Sequence, residues 1–186
     1  MLRPMAPETD DIDLMLSYRS GDAKAFETLY GRYRGGLYRY LLRQCGDPEI
    51  ASDLFQEVWS RVVKARNSYR PTARFNTWLF RIAHNCYVDH YRREQRRPTA
   101  GEPGCADWAD DPSERPEAQT QDLERAERLL AALDKLPAEQ REAFLLREEA
   151  GLSLGEIGQA TGVGRETAKS RLRYAVQRLR DALTER

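Results

Sequence analysis

Residues 151–180, GLSLGEIGQATGVGRETAKSRLRYAVQRLR, constrain this chain more tightly than any other stretch. Ser153 is a strong helix N-cap, and Glu156 stands three residues on as its capping-box partner. Gly162 falls where a turn needs a left-handed residue. Gly158 lies four residues before that turn, at the point where two helices cross and a side chain would clash. A second helix then starts near Arg165, with Leu172, Ala175, Val176, Leu179 and Leu183 as its expected buried stripe. Its outward, N-terminal side carries Arg165, Glu166, Lys169, Ser170 and Arg173. This is the pattern of a helix-turn-helix whose second helix enters a DNA major groove. An ordinary helical hairpin with a solvated basic face is the competing reading. The two glycines weigh against it, as do six Arg/Lys against one acid within 164–180.

Formal net charge is zero, with 30 Lys/Arg against 30 Asp/Glu, which by itself argues against a nucleic-acid binder. The distribution reverses that argument. Residues 61–97 hold ten Arg/Lys and two acids, whereas residues 102–127 hold nine acids and two Arg. Two basic patches are thus separated by an acidic segment.

Helical periodicity runs from about Ile12 to Gln95 and resumes near Leu123. Between them, RRPTAGEPGCADWADDPSERPEAQ carries four prolines and two glycines, the composition of a linker. Alternation is absent and β-branched residues are sparse. The expected fold is all-α: two small helical domains, a four-helix N-terminal one and a helix-turn-helix C-terminal one, on a flexible acidic linker. The expected boundaries are a disordered N-terminus at 1–11, the first domain at 12–95, the linker at 96–122 and the second domain at 123–186. Three widely spaced cysteines, Cys45, Cys86 and Cys105, imply no disulfide framework and point to a reducing compartment. The N-terminus has no apolar run, and no stretch reaches eighteen apolar residues, so neither a signal peptide nor a membrane span is expected.

The first domain reads as four helices. The first spans about Ile12 to Arg19. The second, capped by Asp22, carries Phe26, Leu29, Tyr30, Tyr33, Leu37 and Leu41. The third runs from Pro48 to Ala65, with Asp47 as N-cap and Pro48 in the first turn. Its inward residues are Ile50, Leu54, Phe55, Val58 and Val62, while Asp53, Gln56 and Glu57 occupy another face. A polar, basic loop covers 66–74. The fourth helix runs from Phe75 through Trp78, Leu79, Ile82 and Cys86 to Arg93. Phe75 and Trp78 fit core packing at that spacing.

DLFQEVWSRV at 53–62 followed by FNTWLFRIAHNCYVDHYRR at 75–93 resembles the second conserved region of bacterial extracytoplasmic-function sigma factors. LDKLPAEQREAFLLREEAGLSLGEIGQATGVGRETAKSRLRYAVQRLR resembles their fourth region. The resemblance covers about residues 12–95 and 123–183. It implies a non-catalytic specificity subunit that acts in the cytoplasm and needs no cofactor. It implies two partners: core RNA polymerase, through the clamp helices of its largest subunit and the flap of the second, and promoter DNA. Many members of the family are held by a cognate anti-sigma factor, so one is admitted here too. Asp53, Gln56 and Glu57 match the polymerase-docking face. Asn67, Ser68, Tyr69, Arg70, Arg74, Arg81, Asn85, Arg92 and Arg93 match the part that opens and reads the -10 element. Asn67, Ser68 and Tyr69 offer hydrogen bonds and stacking to an unpaired base, and the arginines offer phosphate contacts. Arg165, Glu166, Thr167, Lys169, Ser170, Arg171 and Arg173 match the -35 reading helix, Arg171 in a phosphate or supporting role. Glu148 and Glu149 fit a solvated face better than a flap contact.

His84, Cys86 and His90 offer at most a ligand pair, and a structural zinc needs four ligands, so no metal is expected. No phosphate-binding loop, nucleophile elbow or zinc-protease motif is present. The alternative class is a stand-alone helix-turn-helix regulator, which has no need of the acidic helix at 53–57 or the loop and helix of 66–93.

Overall fold

The computed structural model describes residues 10–96 and 117–184, with side chains from 126 onward in the second stretch. The expected disordered N-terminus up to residue 9, linker residues 97–116 and Cys105 lie outside the described residues. Eight α-helices and no strand are present among those described: α1 Asp11–Arg19, α2 Ala23–Cys45, α3 Pro48–Ala65, α4 Phe75–Gln95, α5 Glu117–Asp134, α6 Ala138–Glu148, α7 Leu154–Thr161 and α8 Arg165–Thr184. A single 3₁₀ turn, Arg66–Ser68, follows α3.

The helix starts follow from capping chemistry. The side chains of Asp10, Asp22 and Asp47 each accept a hydrogen bond from a first-turn amide of α1, α2 and α3. Gly46 closes α2 in the left-handed region, at φ 68°. Helix α5 begins at Glu117, six residues ahead of the expected domain start at 123. Glu, Ala and Gln favour a helix as soon as Pro116 is passed, and their acidity had read as linker.

Helices α1–α4 pack around an aromatic-rich core. Phe26, Tyr30, Phe55 and Trp59 meet edge-on or tilted, with ring centroids 5.0–6.3 Å apart. Trp59 and Phe80 are buried although neither stood in an expected inward stripe. Phe75 is buried as expected, and Trp78 packs against it.

The second half folds α5 and α6 against α8, with Ala132, Leu133 and Leu136 enclosing Ala175 and Leu179. Val176 and Leu183, expected in the buried stripe, are exposed instead. Helices α5 and α6 cover only the narrow line through Ala175 and Leu179, so the stripe of α8 is thinner than its apolar content suggests.

The two halves touch. One continuous cluster of buried side chains runs from Leu37, Tyr40 and Phe80 of the first half to Leu146, Leu152 and Ile157 of the second. Helix α4 packs on α7, and α2 on α6.

Candidate nucleic-acid interface

The turn between α7 and α8 is built from the glycines. Gly162 takes φ 72° and caps α7, its N–H reaching the carbonyl of Gly158. A Cβ on Gly158 would lie 2.7 Å from the backbone oxygen of Val163, so only glycine lets α8 cross this closely. Ser153 and Glu156 form the full capping box: Glu156 Oε2 accepts from the Ser153 amide at 2.8 Å, and Ser153 Oγ accepts from the Glu156 amide at 3.4 Å. The hydrogen bond from Ser153 is the chief reason the Glu156 carboxyl sits below its ordinary range.

This frame holds the N-terminal half of α8 outward. Arg165, Glu166, Thr167, Lys169, Ser170 and Arg173 are exposed, and Arg171 is half-buried. Ala168 turns inward and is fully buried. Lys169 reaches Glu166 at 3.4 Å, an exposed pair that contributes little to stability. The Arg173 guanidinium lies over the Tyr174 ring at 4.9 Å. Tyr174, half exposed beside Arg173, was not among the expected contacts.

In the first half, Asn67, Ser68, Arg70 and Arg74 are exposed on the loop, and Arg81, Asn85, Arg92 and Arg93 on α4. Positions 81, 85 and 92 fall on one helix face, as helical spacing requires. Tyr69 departs from the expected stacking role: it is 2% exposed. Its ring meets Trp78 edge-on at 5.0 Å, and its backbone oxygen accepts from Arg19 Nη1 at 3.2 Å. Burial raises its phenol pKa, with Asp10 and Asp11 adding to the effect. An aromatic ring in a loop beside a tryptophan gains more from the core than from water.

On α3, Asp53 and Gln56 are exposed and side by side. Glu57 is not free: Arg61 Nη2 bonds it at 2.5 Å, and Arg93 Nη2 lies 3.7 Å away. Arg61 also reaches Asp89 at 3.4 Å, which ties α3 to α4. Glu149 is not solvated either, because its carboxylate accepts from Arg39 Nε at 2.8 Å. Cys86 lies in the core, where burial pushes its thiol up to about 11. Among the described residues no three His, Cys, Asp or Glu side chains are grouped to hold a metal, and no helix is long and apolar enough to cross a membrane.

A helix-turn-helix with an outward basic row, a second exposed basic loop-and-helix surface and an exposed acidic patch on α3 have the make-up of a helical DNA-binding protein. Residues 29–97 match the family Sigma-70 region 2, and residues 132–181 match Sigma-70, region 4. The chain is 32% identical to the RNA polymerase sigma factor CarQ of Myxococcus xanthus, over 92% of this chain and 96% of that one. It is 31% identical to the sigma factor SigM of Mycobacterium tuberculosis, covering 92% and 84%. It is 36% identical to SigE of Mycolicibacterium smegmatis, over 89% of this chain and 65% of the longer relative. The fold is shared with CnrH, solved in complex with the cytosolic domain of CnrY, at TM-score 0.67 and 24% identity, covering 94% and 96% of the two chains. It is shared also with the sigma factor RpoE of Bartonella quintana, solved with the anti-sigma factor NepR, at TM-score 0.70 and 22% identity, covering 88% and 100%. The chain belongs to the extracytoplasmic-function sigma factors, which direct RNA polymerase to promoters.

Proposed function

We propose that each basic surface reads one promoter element and that α3 carries the polymerase contact. The N-terminal half of α8 lies in the major groove of the -35 duplex, with Arg165, Lys169, Ser170 and Arg173 at base edges and Arg171 on the backbone. Glu166 and Thr167 flank them. The loop at 67–74 and the exposed face of α4 take the -10 element. Asn67 and Ser68 contact an unpaired base there, and Arg70, Arg74, Arg81, Asn85, Arg92 and Arg93 follow the strand. Asp53 and Gln56 dock on the polymerase clamp helices, where an acidic patch suits a basic partner. Glu57 shares that task while bracing α3 against α4. The protein is a non-catalytic, cytoplasmic subunit, and a cognate anti-sigma factor is its natural inhibitor.

The observation that carries this reading is the outward row of α8, held there by a turn that tolerates only glycine at 158. Run-off transcription with core polymerase, followed by sequencing of the selected promoters, tests it. Product from promoters with two elements supports the reading, and selection unchanged by alanine at Arg165, Lys169, Ser170 and Arg173 overturns it.

A further inference from the structure

Helix α8 puts an aromatic ring beside the arginine farthest along its outward row. Tyr174 is 50% exposed, and the Arg173 guanidinium lies over its ring at 4.9 Å. Arg173 Nη2 also donates to the tyrosine hydroxyl at 3.3 Å.

Helical spacing says where this puts the charge. Successive residues of a helix turn by about 100°. Ala168, Ala175 and Leu179 are buried and fix the inward side of α8. Ser170 and Gln177 are exposed, seven residues apart, and mark the opposite line. Positions 173 and 174 fall on either side of that line, each about 50° from it. A guanidinium that leans from 173 onto the ring of 174 therefore crosses the outermost line of the helix. The neighbours lean away from it. Lys169 turns back to Glu166 at 3.4 Å, and Gln177 Nε2 turns onward to Asp181 at 2.8 Å.

A free arginine samples many rotamers, and a base contact forfeits that freedom. A guanidinium already stacked on a ring has lost part of it before DNA arrives. Its other N–H groups remain for the two acceptors of a guanine edge.

We propose that Tyr174 is a positioning residue for base reading: it holds Arg173 across the front of α8, in the pose that meets a guanine edge. The assignment deepens, and rests on, the reading of α8 as the -35 helix. It makes the choice of base at one -35 position depend on a side chain that acts through its neighbour.

The test uses the full-length chain, core polymerase and a promoter library randomised across the -35 element. Tyr174→Leu removes the π face and suits a helix, whereas Tyr174→Phe keeps the ring. Arg173→Ala identifies the position that the arginine reads, and the double variant Arg173→Ala with Tyr174→Leu completes the cycle. Both positions are exposed, so the variants should fold, and circular dichroism checks this. Tyr174→Leu should lower the preference for guanine at that position by about two- to fivefold, the range of an exposed cation–π contact. Other positions should not change, and Tyr174→Phe should keep most of the preference. In the Arg173→Ala background, Tyr174→Leu should change nothing, because its effect passes through the arginine. The salt dependence of binding should stay the same for Tyr174→Leu, since no phosphate contact is lost. In the free protein, ring current should move the Arg173 Hδ resonances upfield, and Tyr174→Leu should abolish that shift. An equal loss of preference in both backgrounds overturns the positioning role, as does an unshifted Arg173 resonance in the unaltered chain. A flat Tyr174→Leu beside a changed Arg173→Ala sinks the positioning role alone. If Arg173→Ala leaves every -35 preference intact, the base-edge reading of Arg173 falls and takes the positioning role with it.

Discussion

Replacing Tyr69 separates a side chain that locks the -10 loop from one that stacks on DNA. Its ring is 2% exposed against Trp78, and its hydroxyl is buried with no hydrogen-bond partner among the described residues. Tyr69→Phe removes only that hydroxyl. An unsatisfied buried polar group costs about 1–3 kcal/mol, so the change should stabilise the protein by about 1 kcal/mol. For a chain of this size that raises the melting temperature by about 2–4 °C. Tyr69→Ala opens a cavity where the ring was, and a buried aromatic truncated to alanine costs about 3–5 kcal/mol. The melting temperature should then fall by roughly 6–20 °C. Differential scanning calorimetry gives both shifts, and permanganate reactivity of -10 thymines gives strand opening. The phenylalanine variant should open promoters normally. An alanine variant with unchanged melting temperature and lost thymine reactivity would refute the locking role and restore Tyr69 to the stacking surface.

The remaining expectations address the other surfaces. Asp53→Arg should abolish co-elution with core polymerase while circular dichroism stays unchanged, because the side chain is exposed. Glu57→Ala should also lower stability, by about 0.5–1 kcal/mol in urea unfolding, since it loses half-exposed pairs to Arg61 and Arg93. Gly158→Ala should destabilise by about 1–2 kcal/mol, because overpacking against the Val163 backbone outweighs a helix-propensity gain of up to about 1 kcal/mol. Ser153→Ala should cost about 1 kcal/mol at neutral pH. The Glu156 carboxyl is held below its ordinary range, chiefly by Ser153, so its contribution is present above the unfolded-state value and lost as pH falls through the folded one. The gap between the Ser153→Ala and unaltered chains in thermal melts should therefore narrow on acidification.

What the sequence revealed was mostly local. Caps at Asp22, Asp47 and Ser153 and the glycines at 46 and 162 act within one turn of chain, so helix ends and the helix-turn-helix could be read directly. The exposed row on α8 followed from helical spacing alone. What the sequence did not reveal depends on residues far along the chain. Tyr69 is buried by Trp78 and pinned by Arg19, fifty residues away, and nothing in the loop's polar composition announces either partner. Glu149 fitted a solvated face, yet it binds Arg39 of α2, and Glu142 binds Tyr40 of the same helix, each more than a hundred positions earlier. Val176 and Leu183 look like core because the helical period cannot say how wide the facing helices are. Glu57 matched a docking motif, but its pairing with Arg93 depends on how α3 meets α4.

The central claim is that one short chain reads two promoter elements and opens the DNA between polymerase and duplex. Permanganate footprinting of a promoter selected by run-off transcription tests it most directly, with core polymerase, with the protein, and with both. Thymines at the -10 element should react only when both are present, and alanine at Asn67 and Ser68 should remove that reactivity while polymerase binding persists. Reactivity with core polymerase alone, or a protected -35 duplex with no opened thymines in the complete complex, would contradict the account.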